Sequence, residues 1–582
     1  MSLYDKSSLV LIPSGTKTGK VYSQVPVSGD GDFTFTRSSA ATRVNADGFI
    51  EKETSNLMLQ SNAFNNWSGD PTLTSGQTGY DGSSDAWLLD ATSVNQFIYR
   101  NDVTSFSGVT TISVYAKKGT ADGIRLRFNQ SSDANIYINL INGSDVGAAS
   151  GTISHNVTNL GSGWYRIEMS FIASGSQDFR IYPTDVTGTS VVGSIYIQDV
   201  QAEQGLVARD YIETTTTAVE GGITDNVPRL DYTDSSCPAL LLEPQRTNLI
   251  NHSEYGAGAS LSNMTATSNA ATSPEGVSNA TTMQTGITGQ CQVYQSFNAS
   301  TGNHTGSVFL KKVDFDWVYM EVGGAVAWFN IGNGTLGNGS AYGGSWTYVD
   351  HTIEDYGNGW YRCTLTGNCV SAGGYTFRSL QPVSNNGGYF SNLAGGDTHW
   401  FGTQVEAGSY ETSYIPTYGS SVTRVSDSVI NSSASDLIGQ TEGTILFDWN
   451  YLSNDGDFDF RFNLSDGASI TEWLFVGMTN ADARAYITSG GSVQFDSEDE
   501  YAITIGNRYK MALAYANNDF AFYINGTQVA TSSGGSVPTG MDYIVMSNRP
   551  NSSGSVVKES VNQALLFKSR LTNEELAALT TI

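Results

Sequence analysis

Two carboxylates that flank one bond would be the clearest sign of a glycan-cleaving enzyme in this sequence. A retaining glycosidase holds its two carboxyl groups about 5–5.5 Å apart, and Asp457 and Asp459 share one face of a predicted strand with Arg461. Phenylalanine alternates with them on the opposite face, which is typical of a half-buried strand with a solvated polar side. The acidic run at 496–500 falls between predicted strands, as a solvated loop would. We therefore expect no catalytic residues and no enzyme.

Other residue types that support catalysis or metal binding are scattered. The sequence has no HExxH zinc motif, no nucleophile elbow and no phosphate-binding GxxxxGK[ST] loop. The five histidines are His155, His252, His304, His351 and His399. The four cysteines, none at zinc-ligand spacing, are Cys237, Cys291, Cys363 and Cys369. We expect reduced thiols, with a bridge between Cys363 and Cys369 across a tight turn as the alternative.

Calcium is the one ion that the sequence leaves open. Hard oxygen ligands are abundant, and sandwich domains can use aspartate to hold a loop on calcium. Asp199, on a predicted closing strand, is the natural candidate, but the matching position of an internal repeat is Gly402. We therefore predict no metal site and no cofactor, with structural calcium at Asp199 as the open alternative.

Exposed tryptophan could form a platform on which a sugar ring stacks. The candidates are Trp67, Trp87, Trp317, Trp328, Trp346 and Trp400. Trp164 and Trp360 occupy identical repeat positions, so we expect both to pack inside their sandwiches. No individual ligand-binding residue can be assigned from this set.

Charge and hydropathy exclude several classes of partner. The formal net charge is -27 and the pI is about 4.4, whereas nucleic-acid affinity depends on lysine and arginine that neutralise phosphate. No stretch approaches the roughly 18 apolar residues of a spanning helix, and the first residues lack the pattern of a secretory signal. We predict a soluble chain that neither binds nucleic acid nor inserts into a membrane.

A duplication organises the first two thirds of the chain. The dipeptide Asn56-Leu57 recurs as Asn248-Leu249, and GWYR at 163–166 recurs at 359–362. The pattern Q-x-E-x-G at 201–205 recurs at 404–408. The matches keep their order while their separation grows, as expected when one domain is duplicated and the copy gains loop insertions.

Short alternating runs separated by Gly, Ser, Asn and Asp predict an all-β fold of serial antiparallel β-sandwich domains, jelly rolls in the duplicated part. A third unit contains the hairpin signal Asn525-Gly526. The only convincing helix is at the C-terminus, where Thr572 and Glu575 form a capping box.

The predicted boundaries give four segments. They are an N-terminal docking segment at 1–50, a first jelly roll at 51–220, its duplicate at 221–425 and a third sandwich at 426–582. The first segment lies outside the duplication and opens with the apolar stretch Leu9–Pro13, so it could offer a strand or apolar surface to a partner. The alternative is that this stretch completes the first sandwich.

Several segments resemble those of bacteriophage virion proteins of the tail-fibre or head-decoration type. They are SLYDKSSLVLIPSGTKTGKVYS, GDFTFTRSSAATRVNADGFIE, SNLMLQSN, PALLLEPQRTNLI and YIPTYGSSVTRVSD. The duplicated units are similar to jelly rolls of carbohydrate-binding modules, through GWYR and Q-x-E-x-G. The third unit resembles laminin-G or concanavalin-like domains, through 509–513, 520–526, 565–567 and the closing helix.

The resemblance implies a virion structural protein, assembled in the host cytoplasm, that binds host-surface glycan as an adhesion or fibre component. Its partners would be other virion proteins. We also predict a homo-oligomer, with a trimer as the expected symmetry, because linked copies raise avidity. An architectural capsid-decoration protein without a glycan ligand is the first alternative. A polysaccharide depolymerase is the weaker one, since a catalytic carboxylate pair is lacking.

Overall fold

The chain folds almost entirely into antiparallel β-sheet, as the computed structural model shows. It describes residues 3–582 except 102–105, 175–177, 234, 286–290, 381–383, 386–395, 454–459, 468, 481, 499, 548 and 553–556, and the side chains of 257 and 380. The strands build three sandwiches, and one short α-helix, Asn573–Thr580, lies near the C-terminus. The predicted fold class is confirmed. Single 3-10 turns occur at Leu3–Lys6, Phe64–Asn66 and Gly256–Gly258.

The first jelly roll packs two six-stranded sheets around one core. The sheet that we call its front sheet runs Asp145–Ala148, Ala134–Asn139, Gly123–Asn129, Asp178–Thr184, Ile98–Arg100 and Ser68–Gly69. Its back sheet runs Thr152–Gly161, Trp164–Ala173, Gly108–Lys118, Gly193–Gln204, Ala86–Ala91 and Thr72–Gln77. Alternate residues such as Ile124, Leu126 and Phe128 fill the core between the sheets.

The second jelly roll repeats this order of strands. Its front sheet runs Ser260–Ser262, Gln292–Ala299, Gly373–Leu380, Trp317–Val322, Ala325–Asn330 and Thr335–Ala341. Its back sheet runs Met264–Ala271, Ala280–Thr285, Asp397–Ala407, Gly302–Lys312, Trp360–Cys369 and Trp346–Asp355. All four cysteines are free thiols, and Cys363 and Cys369 lie on one extended strand, so the alternative of a bridge across a turn is wrong.

The third sandwich, which we call the platform, is the largest. One sheet runs Arg229–Asp231, Ala239–Leu242, Glu559–Phe567, Glu442–Tyr451, Arg508–Ala516, Asp519–Ile524 and Thr527–Ser532, with Leu9–Leu11 also paired to Glu559–Phe567. The other runs Thr16–Lys17, Lys20–Val21, Phe33–Thr36, Ser428–Asn431, Tyr543–Ser547, Phe460–Ser465, Trp473–Thr479, Asp482–Ser489 and Ser492–Asp496. The predicted hairpin at Asn525-Gly526 is present, with both residues at positive φ.

The N-terminal segment belongs to the platform. Leu9 pairs with Leu566, and Val429 pairs with Phe35, so strands from both ends of the chain share each sheet. Leu9 and Leu11 are fully buried in the platform core. The stretch Leu9–Leu11, predicted to offer a strand or an apolar surface to a partner, is instead paired and buried within the chain, and the alternative that Leu9–Ile12 completes the first sandwich is wrong.

Both jelly rolls are insertions into the platform. Thr54–Asn56 pairs with Val219–Gly221 where the chain enters and leaves the first jelly roll. Arg246–Asn248 pairs with Val422–Arg424 at the same place in the second. We call these two-stranded ribbons the stems. A further short hairpin, Arg43–Val44 with Ile50–Glu51, precedes the first stem.

Candidate functional site

Among the described residues, the acidic side chains considered for catalysis do not form a catalytic pair. Asp457 and Asp459 lie outside the described residues. In the acidic run, Asp496 and Glu498 both pair with Arg484, at 2.8 and 3.1 Å. These partly exposed carboxylates therefore form surface ion pairs with one arginine.

Most candidate tryptophans are structural. Trp67, Trp346 and Trp400 lie in the jelly-roll cores, and Trp87 packs against one. Trp317 and Trp328 instead lie on the outward face of the second front sheet and are half-buried. The two tryptophans at identical repeat positions lie elsewhere. Trp164 packs with Ala86 and Tyr115, and Trp360 packs with Phe309, Phe401 and Tyr414. Those clusters lie on the outer side of the back sheets, so the prediction that Trp164 and Trp360 pack inside the sandwiches is wrong.

Asp199, the candidate for structural calcium, occupies a β-bulge. Its φ of 48° and the φ of 65° at Gly402 lie in the left-handed region, and both residues sit where the closing strand slips register against its neighbour. The Tyr80 hydroxyl donates to the Asp199 carboxylate at 3.2 Å. Among the described residues no group of three or more His, Cys, Asp or Glu side chains could hold a metal ion.

The outward face of the first front sheet carries arginine and aromatic side chains in register. One row across the sheet joins Tyr99 to Arg180 and Arg180 to Arg127. The next row joins Tyr182 to Arg125 and Arg125 to Tyr137. Solvent-facing positions of a sheet normally carry polar or charged residues, so the aromatic rings in adjacent rows are the unusual feature of this face.

Rings and guanidinium groups on this face stack on each other. The Arg125 guanidinium lies 5.1 Å from the Tyr137 ring centroid and 5.2 Å from that of Tyr182. Arg180 lies 4.7 Å from the ring of Phe97, which in turn contacts Tyr182 at 4.6 Å. Cation–π contacts of this kind restrain long side chains, so these contacts limit the rotamers of the arginines on the face.

The front face of the second jelly roll matches the first position by position. The paired strands place Tyr294 beside Arg378, Arg378 beside Glu321, and Tyr319 beside Trp328. By the same register, Tyr294 corresponds to Tyr99, Arg378 to Arg180, Glu321 to Arg127, Tyr319 to Arg125 and Trp328 to Tyr137. The aromatic character of the face is kept in both copies, while its charge differs.

A cavity of about 520 Å³ opens on this second face, lined in part by Asn298, Glu321, Tyr342 and Arg378. Glu321 is 1 % exposed, and burial raises the pKa of its carboxyl, although Tyr342 and Arg378 oppose that shift. Arg378 approaches the same carboxyl at 3.5 Å. The cavity thus offers a carboxylate and a guanidinium beside aromatic walls, which suits a polyhydroxylated ligand.

Strand pairing explains why sequence reasoning missed these faces. The alternation Ile124, Leu126, Phe128 revealed that Arg125 and Arg127 point outward, but it could not reveal what lies beside them. Their neighbour across the sheet is Asp178–Thr184, more than fifty positions later in the chain. The available signal was the pair of outward arginines on a strand between two apolar ones.

A buried network of ion pairs lies where the platform meets the jelly rolls, and we call this network the hub. Its members are Arg37, Arg229, Glu243, Arg424 and Asp427, each at most 1 % exposed. Arg229 bridges Glu243 and Asp427, Arg424 reaches Glu243 at 2.6 Å, and Arg37 reaches Asp427 at 3.1 Å. Arg37, Glu243 and Arg424 come from three of the four connections between the platform and the jelly rolls, so the hub ties those connections together.

A second buried network, which we call the clamp, joins the two jelly rolls. The Lys52 ammonium lies 2.6 Å from Glu254 and 3.0 Å from Glu275. Arg209 of the first jelly roll also pairs with Glu275 of the second. Burial raises the pKa of Glu254, whereas Lys52 and Arg209 overcome burial to lower the pKa of Glu275. A cavity of about 270 Å³ adjoins the clamp.

In the part of the chain that the structure describes, no helix is long and apolar enough to cross a membrane.

Comparisons with known proteins give structural similarity only. No family model matches the chain, and no curated protein matches it significantly. Among solved structures, the CBM40 of a Ruminococcus gnavus IT-sialidase bound to α2,3 sialyllactose is 18% identical, covers 25% of this chain and 84% of its own, and gives a TM-score of 0.22.

Two further solved structures are similar at the same level. Domain 4 of AbnA, a GH43 extracellular arabinanase from Geobacillus stearothermophilus, in complex with arabinotriose, is 12% identical over 30% of this chain and 82% of its own, with a TM-score of 0.23. The binding domain of Paraclostridial Mosquitocidal Protein 1 is 13% identical over 27% and 43%, with a TM-score of 0.20. Similarities this low do not indicate what the chain binds, and no family membership follows.

Proposed function

We propose that the protein is a virion adhesion component that binds surface glycan through the front faces of its two jelly rolls. The observation that carries this proposal is the matched arrangement of rings and arginines on both faces. Tyr99 and Arg180 in the first copy correspond to Tyr294 and Arg378 in the second. These outward positions lie outside the cores between the sheets of both jelly rolls.

The chemistry of the faces suits sugar. A pyranose ring presents C–H groups that pack on an aromatic face, and hydroxyl groups that exchange hydrogen bonds with guanidinium and carboxylate groups. Tyr137 and Trp328 supply the ring at matching positions, and Arg180 and Arg378 supply the donors. Because stacking holds the first face in place before a ligand arrives, little side-chain entropy is lost on binding.

Glycan binding is tested with the full-length protein on a glycan array, followed by titration of the strongest hits. Trp328→Ala and Tyr137→Ala each remove the stacking ring from one face, and we expect the double variant to lose about tenfold in affinity, or ~1.4 kcal/mol. Leu160→Ala, an exposed change on the back sheet of the first jelly roll, is the control and should bind normally. Wild-type protein that binds no glycan on the array contradicts the proposal.

The proposed place on the virion rests on the resemblance of the segments around Arg37, Leu240 and Arg424 to phage virion proteins. Electron microscopy of particles with labelled protein tests it. Label on the tail supports a fibre, while label on the head without glycan binding supports the decoration alternative. Reducing ends released from polysaccharide would instead support the depolymerase alternative and contradict the proposal that no catalysis takes place.

The proposed oligomer is a trimer assembled from identical chains, because linked copies of a weak binding face raise avidity by orders of magnitude. Light scattering at micromolar concentration gives the mass directly, and a monomer under those conditions contradicts this part of the proposal.

A further inference from the structure

We infer that the front face of the first jelly roll binds a carboxylated sugar through Arg125, and that the matching face of the second jelly roll does not select for a carboxylate. This inference rests on the proposed glycan binding and adds the class of substrate. It covers sugars of both the uronic and the nonulosonic type, since the carboxylate is common to them.

Arg125 is the guanidinium on the first face that lacks an acidic partner. Arg127 pairs with Asp133 at 2.8 Å, and Arg180 pairs with Asp178 at 2.8 Å. Arg125 forms no ion pair within the described residues, and its buried Nε has no hydrogen-bond partner there. A half-buried cation without a counterion is costly unless something supplies the charge.

The two tyrosines determine how Arg125 can be used. Stacking on the rings of Tyr137 and Tyr182 holds the guanidinium while leaving its N–H donors to act within the plane of the group. A planar fork of donors matches the two oxygens of a carboxylate, which it binds with two parallel hydrogen bonds. The neighbouring rings can pack against the sugar that carries this carboxylate.

The duplicate provides an internal comparison. At the position of Arg125 the second face has Tyr319, and at the position of Arg127 it has Glu321. Arg378 and Glu321 balance each other, so the described residues of the second face carry no uncompensated positive charge. The duplicated faces thus differ in charge while sharing their aromatic frame, as expected of two sites that select different sugars.

Charge elsewhere favours a small acidic group over a polyanion. The whole chain has a formal net charge of -27, so a long nucleic acid or polyphosphate meets repulsion away from the face. A single carboxylate feels mainly the charges within about 10 Å, the screening distance at 0.1 M salt. The guanidinium of Arg125, which forms no ion pair within the described residues, is therefore matched to one carboxylate.

The test measures binding of the full-length protein to trigalacturonic acid and to sialyllactose, each compared with its methyl ester, by calorimetry. The ester keeps the sugar and removes the charge. We expect at least one acid to bind tenfold or more tightly than its ester, with affinity falling as salt rises. Arg125→Tyr, which introduces the residue of the second face, should abolish the preference, and Arg125→Lys should keep only part of it because lysine lacks the fork.

Lys118→Gln, which removes one exposed positive charge from the back sheet of the first jelly roll, is the control and should leave the preference for the acid unchanged. If Arg125→Tyr unfolds at the wild-type temperature, its lost preference for the acid is not caused by misfolding. If Arg125→Tyr unfolds at a lower temperature, the reduced preference of Arg125→Lys tests the inference instead. Equal affinity for acid and ester, or binding to neither acid while neutral glycans bind, overturns the inference and leaves the proposed function standing. No binding to any glycan overturns both.

Discussion

At the residue scale, Asp199 shows how one position carries a cost that its duplicate avoids. Burial, together with Asp85 and Asp81, raises the pKa of its carboxyl to about 7. A carboxyl whose pKa is raised in the folded state stabilises the fold only while protonated. That benefit is complete below the ordinary value near 3.8 and is lost as the pH rises through 7. At Gly402 the same bulge is formed without a carboxyl.

Asp199→Asn should therefore stabilise the protein at pH 8 by at least ~1 kcal/mol, since one pKa unit corresponds to about 1.4 kcal/mol, and the gain should shrink toward pH 4. Asparagine tolerates the left-handed conformation and can still accept from Tyr80. Urea unfolding at both pH values measures the difference. A gain of equal size at both would show that ionisation is not its cause.

Glu243 gives the opposite case, because its charge is compensated. Burial alone would raise the pKa of its carboxyl, but Arg424 and Arg229 hold that pKa well below its ordinary value. Glu243→Gln leaves these buried arginines short of charge and should cost about 3–5 kcal/mol at pH 7. The stability that the Glu243 carboxylate contributes is present above its ordinary pKa and is lost as the pH falls through its pKa in the folded state. The difference in unfolding free energy between wild type and Glu243→Gln should therefore narrow on acidification.

The matched control for Glu243→Gln is Asp122→Asn, which breaks the exposed pair with Lys118. Such pairs contribute about 0–1 kcal/mol, so urea midpoints should hardly move. Equal effects of the two changes would contradict the structural importance assigned to the hub.

At the element scale, the strand Leu9–Leu11 joins the first residues to the last strand. Leu11→Ala removes a fully buried side chain from the platform core and should cost about 2–5 kcal/mol. Hydrogen exchange should report the loss in Glu559–Phe567, which pairs with this strand. The exposed neighbour Ile12→Ala is the control. Faster exchange confined to the first jelly roll would contradict the pairing.

Sequence patterns predicted what was local in these elements. The alternation of 124–128, the turn at Asn525-Gly526 and the cap at Thr572 each depend on neighbours within a few residues, and each is present. The partner of Leu9–Leu11 could not be predicted, because it lies more than five hundred positions away and any apolar strand edge would satisfy the same pattern. The arrangement of side chains on the front faces could not be predicted for the same reason, because it depends on strands that are distant in the sequence.

At the scale of the whole molecule, the clamp should make the two jelly rolls unfold together. Glu275→Gln leaves Lys52 and Arg209 facing a neutral group in a buried site. We expect calorimetry of this variant to resolve separate unfolding transitions for the two jelly rolls, at least one of them at lower temperature than in the wild type. Asp316→Asn, which breaks an exposed pair within the second jelly roll, is the control. A thermogram like that of the wild type would show that the clamp does not couple them.

The stems make each jelly roll an insertion that can be exchanged without changing the platform. The residues at which the chain enters and leaves each jelly roll, Thr54 with Gly221 and Arg246 with Arg424, are paired neighbours. Insertions whose two ends meet in this way are accepted by a host domain with little strain. Recombination with crossovers at the two strands of a stem would exchange an entire jelly roll while the platform kept its strand order, so the front face that the molecule presents can change in one genetic step.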